Sequence, residues 1–154
     1  MQNAIKEIMS TKLETIDVTK NAQEAAKKMN DKRISSLLGG EANSKSEEPI
    51  GIVTERDLVI RVCAAGTISK DVGIREILSS PIVTVEPDAT VETAAELMLS
   101  NKVRHLLVID EQTRKPVGII APSDLNKYLR GNIDMDEVNA RILEAIKVEE
   151  MTEP

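Results

Sequence analysis

The chain is one pattern written twice, and that duplication constrains its fold more than any single motif. The segment IMSTKLETIDVTKNAQEAAKKMNDKRISSLL, beginning at Ile8, aligns without a gap on ILSSPIVTVEPDATVETAAELMLSNKVRHLL, beginning at Ile77, at an offset of 69 residues. Identities include Ser10/Ser79, Thr15/Thr84, Ala25/Ala94, Ala26/Ala95, Met29/Met98 and Leu37/Leu106. After a two-residue difference in length, PIGIVTERDL matches PVGIIAPSDL at an offset of 67, which sets Thr54, Arg56 and Asp57 against Ala121, Ser123 and Asp124. One such unit is too small to bury much by itself. Two copies packed together close one core.

Periodicity predicts the same elements in each copy. Ala22, Ala25, Ala26 and Met29 recur at helical spacing behind Asn21, a good N-cap, as do Val91, Ala94, Ala95 and Met98 behind Thr90. Each helix runs into a short apolar strand, ISSLL or VRHLLVID. A polar hairpin loop follows, GGEANSKSEE or EQTRK, and then a second strand, PIGIV or PVGII. A second helix begins at TERDL or APSDL and is expected to stop near Gly66 or Gly131. The expected fold is therefore α/β (α+β), with two β-α-β-β-α repeats. The expected boundaries are a lead-in helix and segment over 1–12, repeats over 13–68 and 69–131, and an amphipathic helix and tail over 132–154. In that last helix Met135, Val138, Ile142, Ala145 and Ile146 form an apolar stripe, which serves either its own subunit or an interface.

Composition narrows the function. Of 154 residues 41% are hydrophobic and 30% charged, which describes a soluble globular protein, and no window has the roughly 18 apolar residues of a membrane span. Lys6 and Glu7 stand where a signal peptide needs an apolar core, so a cytoplasmic setting is expected. The lone Cys63 allows no internal disulfide and reads as a small packing residue on a helix; one His and one Cys are a poor supply of metal ligands. A net charge of −6 and a single aromatic, Tyr128, argue against general nucleic-acid binding. A small anion in a local positive pocket remains open to such a chain.

Thr54 with Asp57 three residues later can be read in two ways. As a capping box, the hydroxyl caps a backbone N–H and the carboxylate reaches back to the cap. As a binding motif, the helix start exposes N–H groups and partial positive charge, Arg56 adds a full charge, and Asp57 accepts from a pair of hydroxyls such as those of a ribose. With ILSSPIVTVEPDATVETAAELM, NKVRHLLVID and GIVTERDL in duplicate, the chain resembles a pair of cystathionine-β-synthase (CBS) domains, the Bateman module, over about residues 5–131.

That resemblance implies two repeats packed sheet to sheet about a pseudo-twofold axis, with two clefts for adenosine-containing ligands: AMP, ADP, ATP or S-adenosylmethionine. It implies nucleotide-binding roles for Thr54 and Asp57 at the ribose and for Val83 and Thr84 at the base. Arg56, Arg104, His105 and Ser123 fall on the phosphate side. The second cleft is expected to be weaker or vestigial. It keeps Asp124, Leu13 and Ser36, but Ala121 lacks a hydroxyl, Glu14 takes the place of Val83, and Ser35 and Ser36 replace Arg104 and His105, leaving no cation by the phosphate.

The expected function is a stand-alone regulatory module with no catalytic residues and no required cofactor or metal. It answers to an adenosyl ligand and signals to a protein partner or through the geometry of a homodimer, using LVIRV, LNKYL and the C-terminal stripe as surfaces. The competing reading is a scaffold with relic clefts. An enzyme built on Cys63 and His105, or on Asp57 and Asp124, lacks a catalytic signature.

Overall fold

The structure, a computed structural model, describes residues 3–132 and 135–152. The first repeat runs β1 (Thr15–Asp17), α1 (Ala22–Lys32), β2 (Ser36–Gly40), β3 (Gly51–Thr54) and α2 (Glu55–Leu58), which continues as a π-helical turn over Val59–Cys63. A short helix, α3 (Ile74–Ile77), links it to the second repeat: β4 (Thr84–Val85), α4 (Val91–Asn101), β5 (Leu106–Ile109), β6 (Pro116–Ile120) and α5 (Pro122–Asn132). The helix α6 (Met135–Thr152) follows. Both copies thus follow β-α-β-β-α, as the periodicity predicts.

Each repeat makes its own three-stranded sheet, β1-β2-β3 or β4-β5-β6. The first pair in each sheet is parallel and encloses the long helix; the second pair is an antiparallel hairpin. The long helices start where local chemistry says they should. Asn21 accepts from the Glu24 N–H at 2.9 Å while the Glu24 carboxylate accepts from the Asn21 N–H at 2.9 Å; Thr90 caps α4 through the Thr93 N–H. They end at Arg33 and Lys102, equivalent residues that both adopt the left-handed conformation, with φ of 54° and 55°.

Strand alternation distributes the apolar residues among three clusters. Leu37 faces α1 with Ala22, Ala25, Met29 and Val53, and Leu106 faces α4 with Ala94, Met98 and Ile120. Their neighbours Leu38 and Leu107 point the other way and meet Ile52 and Ile119 in a third cluster between the two sheets. One strand therefore serves its own repeat with one face and the partner repeat with the other.

The lead-in segments are exchanged. Ile5, fully buried in a 3-10 turn, belongs to the second repeat's core, and the N–H groups of Ile5 and Lys6 donate to the carbonyls of Ala89 and Pro87. Reciprocally, Ile74 and Ile77 of α3 are buried in the first repeat's core. Where each lead-in crosses a sheet it forms one antiparallel bridge, Ser10 with Ile119 and Ser79 with Ile52.

Two local expectations are corrected, one is met and one open choice is decided. Gly39 and Gly40 belong to β2, paired with Ile16 and Asp17, so the polar loop starts later than its glycines suggest. As expected, α5 stops beside Gly131, at Asn132. Cys63 is exposed and packs into no core. In the C-terminal stripe Val138 is half-buried but Ala145 is exposed, as are Ile142 and Ile146 at 52% and 48%, so α6 does not bury its apolar face on its own chain; the side chain of Met135 lies outside the described residues.

Candidate functional site

Two clefts open between the repeats, each lined by residues of both. The first, of about 770 Å³, is floored by the C-terminal end of β3 and the start of α2. It gathers Thr54, Arg56, Asp57, Val83, Arg104, His105 and Ser123. Thr84 is not among its lining: it lies in β4, exposed and paired with Leu107, because the strand alternation that turns Val83 to the cleft turns its neighbour away. Pro81, Ile82, Val83 and Val103 form an apolar wall, with four cations opposite or beside it: Arg56, Arg61, Lys102 and Arg104.

The capping box at Thr54 is formed. The Thr54 hydroxyl accepts from the Asp57 N–H at 3.4 Å, and Asp57 Oδ2 accepts from the Thr54 N–H at 2.9 Å and its hydroxyl at 3.2 Å. Asp57 Oδ1 accepts from the Ser79 hydroxyl at 3.0 Å and pairs with Arg61 Nε at 3.8 Å. This carboxylate is buried and engaged at both oxygens, yet Oδ1, with one hydrogen bond and an ion pair at 3.8 Å, keeps capacity to accept from a ribose hydroxyl. Arg61 is held from behind by the carbonyls of Ile77 and Leu78.

The second cleft, of about 650 Å³, differs from expectation. Asp124 and Ser36 line it and Leu13 does not; Leu13 packs against the cluster between the sheets. It is not short of cations: Lys12, Arg33 and Lys127 all line it. Glu14 is absent from its lining and instead pairs with Lys28 at 3.5 Å and Lys32 at 3.7 Å. Asp124 Oδ2 accepts from the Ala121 N–H at 2.9 Å, and no further partner of this carboxylate is present among the described residues. The buried acid of the second cleft is therefore the less committed of the two.

Sequence matching missed Arg61, Ser79 and Lys102 in the first cleft and Lys12, Arg33 and Lys127 in the second. One signal was available. Arg33 and Lys102 are equivalent in the duplication, a basic residue just past each long helix, and each lines one cleft. Lys12 and Lys127 have Pro81 and Ile60 as equivalents, so comparing the repeats could not have found them.

His105 stands where the clefts meet. It lines both, together with Ser35, Glu55, Ala121 and Ser123, and its Nε2 lies 3.1 Å from the Ser35 hydroxyl across the junction of the repeats. Burial and the adjacent Arg104 lower its pKa from the ordinary 6.5, against opposing pulls from Asp124 and Asp57. Cys63 lines neither cleft, and no cluster of His, Cys, Asp and Glu among the described residues could hold a metal ion.

The CBS domain family model matches residues 5–63 and 74–131. The chain belongs to the CBS domain family. Among CBS-domain relatives and similar proteins, the uncharacterized protein MK0525 of Methanopyrus kandleri is 39% identical over 107 residues, 70% of this chain and about half (53%) of that protein's length. The crystal structure of a conserved CBS domain protein of unknown function from Thermoplasma acidophilum superposes with a TM-score of 0.74 at 26% identity, covering 84% of this chain and 70% of the other. A hexameric CBS-CP12 protein from bloom-forming cyanobacteria gives a TM-score of 0.73 at 30% identity, covering 95% and 86%. No helix among the described residues of this CBS pair is long and apolar enough to cross a membrane.

Proposed function

We propose that this chain is a non-catalytic regulatory module that binds an adenosine-containing ligand between its repeats. It would work in the cytoplasm and pass its ligand state to a protein partner or to another copy of itself. One observation carries this reading. Thr54, Arg56, Asp57, Val83, Arg104, His105 and Ser123, drawn from both repeats, converge on one cleft whose volume lies in the range of about 300–1,000 Å³ usual for small-molecule sites. An adenine fits the apolar wall of Ile82, Val83 and Val103, a ribose reaches Thr54 and Asp57, and a phosphate meets Arg56, Lys102 and Arg104. The cations of the second cleft support a phosphate-bearing ligand there as well.

The exposed apolar residues support a protein contact. Val59 and Ile60 on the π-helical turn are 59% and 50% exposed, and Ile142, Leu143 and Ile146 line one open side of α6. A second copy of this chain is the occupant proposed for them, in keeping with the oligomeric state of the cyanobacterial CBS-CP12 protein.

The test is thermal denaturation with AMP, ADP, ATP or S-adenosylmethionine. At one hundred times its dissociation constant a ligand stabilises the fold by about 2.7 kcal/mol, which for a chain of this size is a rise of about 5–10 °C. The double variant Thr54→Ala/Asp57→Ala is expected to lose the contribution of the first cleft. The engagement of both Asp57 oxygens by the protein's own groups favours a second reading, an interaction protein whose clefts take no nucleotide. No shift with any of the four ligands would support it.

A further inference from the structure

We propose that the two clefts are coupled through His105, so that an anion bound in either cleft favours an anion in the other by drawing a proton onto the imidazole they share. The inference rests on the nucleotide reading for the chemistry of the ligand, and it adds the regulation of that site.

The geometry carries it. His105 is the only ring that lines both clefts, and its Nε2 meets Ser35 of the opposite repeat at 3.1 Å, closing the gap between them. Three charged groups act on it, Arg104 beside it in the chain, Asp57 of α2 and Asp124 of α5, and Glu55, Arg56 and Lys127 line the clefts with it. Asp57 is the buried acid of the first cleft and Asp124 that of the second, and both act on the imidazole in the same direction. Burial and Arg104 hold His105 below its ordinary pKa, so near neutrality the ring is uncharged and able to gain a proton. A phosphate near Arg104 in the first cleft, or near Lys127 in the second, stabilises the imidazolium. The imidazolium in turn attracts an anion on its other side. Linkage makes the effect reciprocal.

The duplication does not require this arrangement. The residue equivalent to His105 is Ser36, and that of Arg104 is Ser35, so only one of the two repeats supplies a titrating group. A symmetric module would have two such rings or none. Here a single one stands on the boundary.

Because His105 is the single histidine in the chain, its imidazole signals in a proton–carbon NMR spectrum of the full chain report its pKa directly. In the ligand-free protein Asp57→Asn and Asp124→Asn are each expected to lower that pKa, and Arg104→Gln, at an exposed position, to raise it. Saturating AMP is expected to raise it in the unaltered chain, and each unit of rise corresponds to a tenfold higher affinity at a pH below both the free and the bound pKa than at a pH above both. If only one carboxylate variant moves the ring, it belongs to a single cleft and the coupling is overturned. If AMP binds and the ring does not respond, the coupling is overturned while the nucleotide reading stands. If no adenylate binds, the nucleotide reading falls. Pyrophosphate then serves as the anion, and an imidazole that ignores it overturns the coupling too.

Discussion

At the scale of the residue, the duplicated acids show how far equivalence in sequence is from equivalence in chemistry. Asp57 and Asp124 occupy matching positions and are both 7% exposed, and each reaches back to the N–H three residues before it. Asp57 adds the hydroxyls of Thr54 and Ser79 and the nearby Arg61; Asp124 lacks the first counterpart because Ala121 has no hydroxyl, and Ser10, the equivalent of Ser79, instead accepts from the Lys12 N–H. His105 carries the residue-scale prediction. Its pKa lies lower in the folded protein than the ordinary 6.5, so on acidification the unfolded chain takes up this proton first. The stability contributed by the neutral ring is present above about pH 6.5 and is lost as the pH falls through the folded pKa. Urea denaturation at a series of pH values is expected to show that loss, and His105→Gln to flatten the profile in this window. A profile that His105→Gln leaves unaltered would contradict the assignment.

Elements are set by the exchanged lead-ins as much as by their own sequence. Gly51 and Gly118 are equivalent in the duplication, and each lies where the other repeat's lead-in crosses its sheet. A Cβ on Gly51 would stand 3.0 Å from the Ser79 carbonyl and 3.2 Å from Leu78; one on Gly118 would meet the Met9 side chain at under 3 Å and the Ser10 carbonyl at 3.0 Å. The obstructing backbone cannot rotate away as a flexible side chain could. Gly51→Ala and Gly118→Ala are each expected to cost about 1–3 kcal/mol, the usual range for overpacking, read as a lower urea midpoint at unchanged slope. Were either glycine merely a flexible hairpin residue, the same change would be neutral or mildly stabilising. The helices were more legible than these crossings. Alanines and methionines at helical spacing behind Asn21 and Thr90 located α1 and α4, since capping and amphipathicity act over a few residues. The glycine pair of β2 was misread as loop because composition alone cannot tell a turn from a strand that another segment covers.

For the whole molecule, the question is what α6 and the π-helical turn are for. The turn gives Val62 to the first repeat's core and leaves Val59 and Ile60 exposed, while the described apolar side chains of α6 contribute to none of the three apolar clusters, which are built from residues between Ile5 and Leu125. A chain ending at Gly131 is therefore expected to keep its cooperative thermal transition. If a second copy covers α6, the shortened chain also falls to a smaller assembly, and light scattering after size-exclusion chromatography measures that. Loss of folding in the shortened chain would mean that α6 belongs to the protomer's own core after all. The pairing of the two sheets belongs to this scale too. Leu38, Ile52, Leu107 and Ile119 join them in one buried cluster.

The sequence by itself determined the duplicated β-α-β-β-α plan and the helix starts, because repetition, periodicity and capping are written in neighbouring residues, and its likeness to CBS domains pointed to seven of the residues that line the first cleft. Only the tertiary structure decided which lead-in serves which repeat, that Lys12, Arg33 and Lys127 make the second cleft basic, that Asp57 is already engaged, and that His105 belongs to both clefts. Those facts depend on groups brought together across some seventy residues of chain, as in the contact of Ser35 with His105. Local pattern carries no information about such distances. Packing of one repeat against the other creates it.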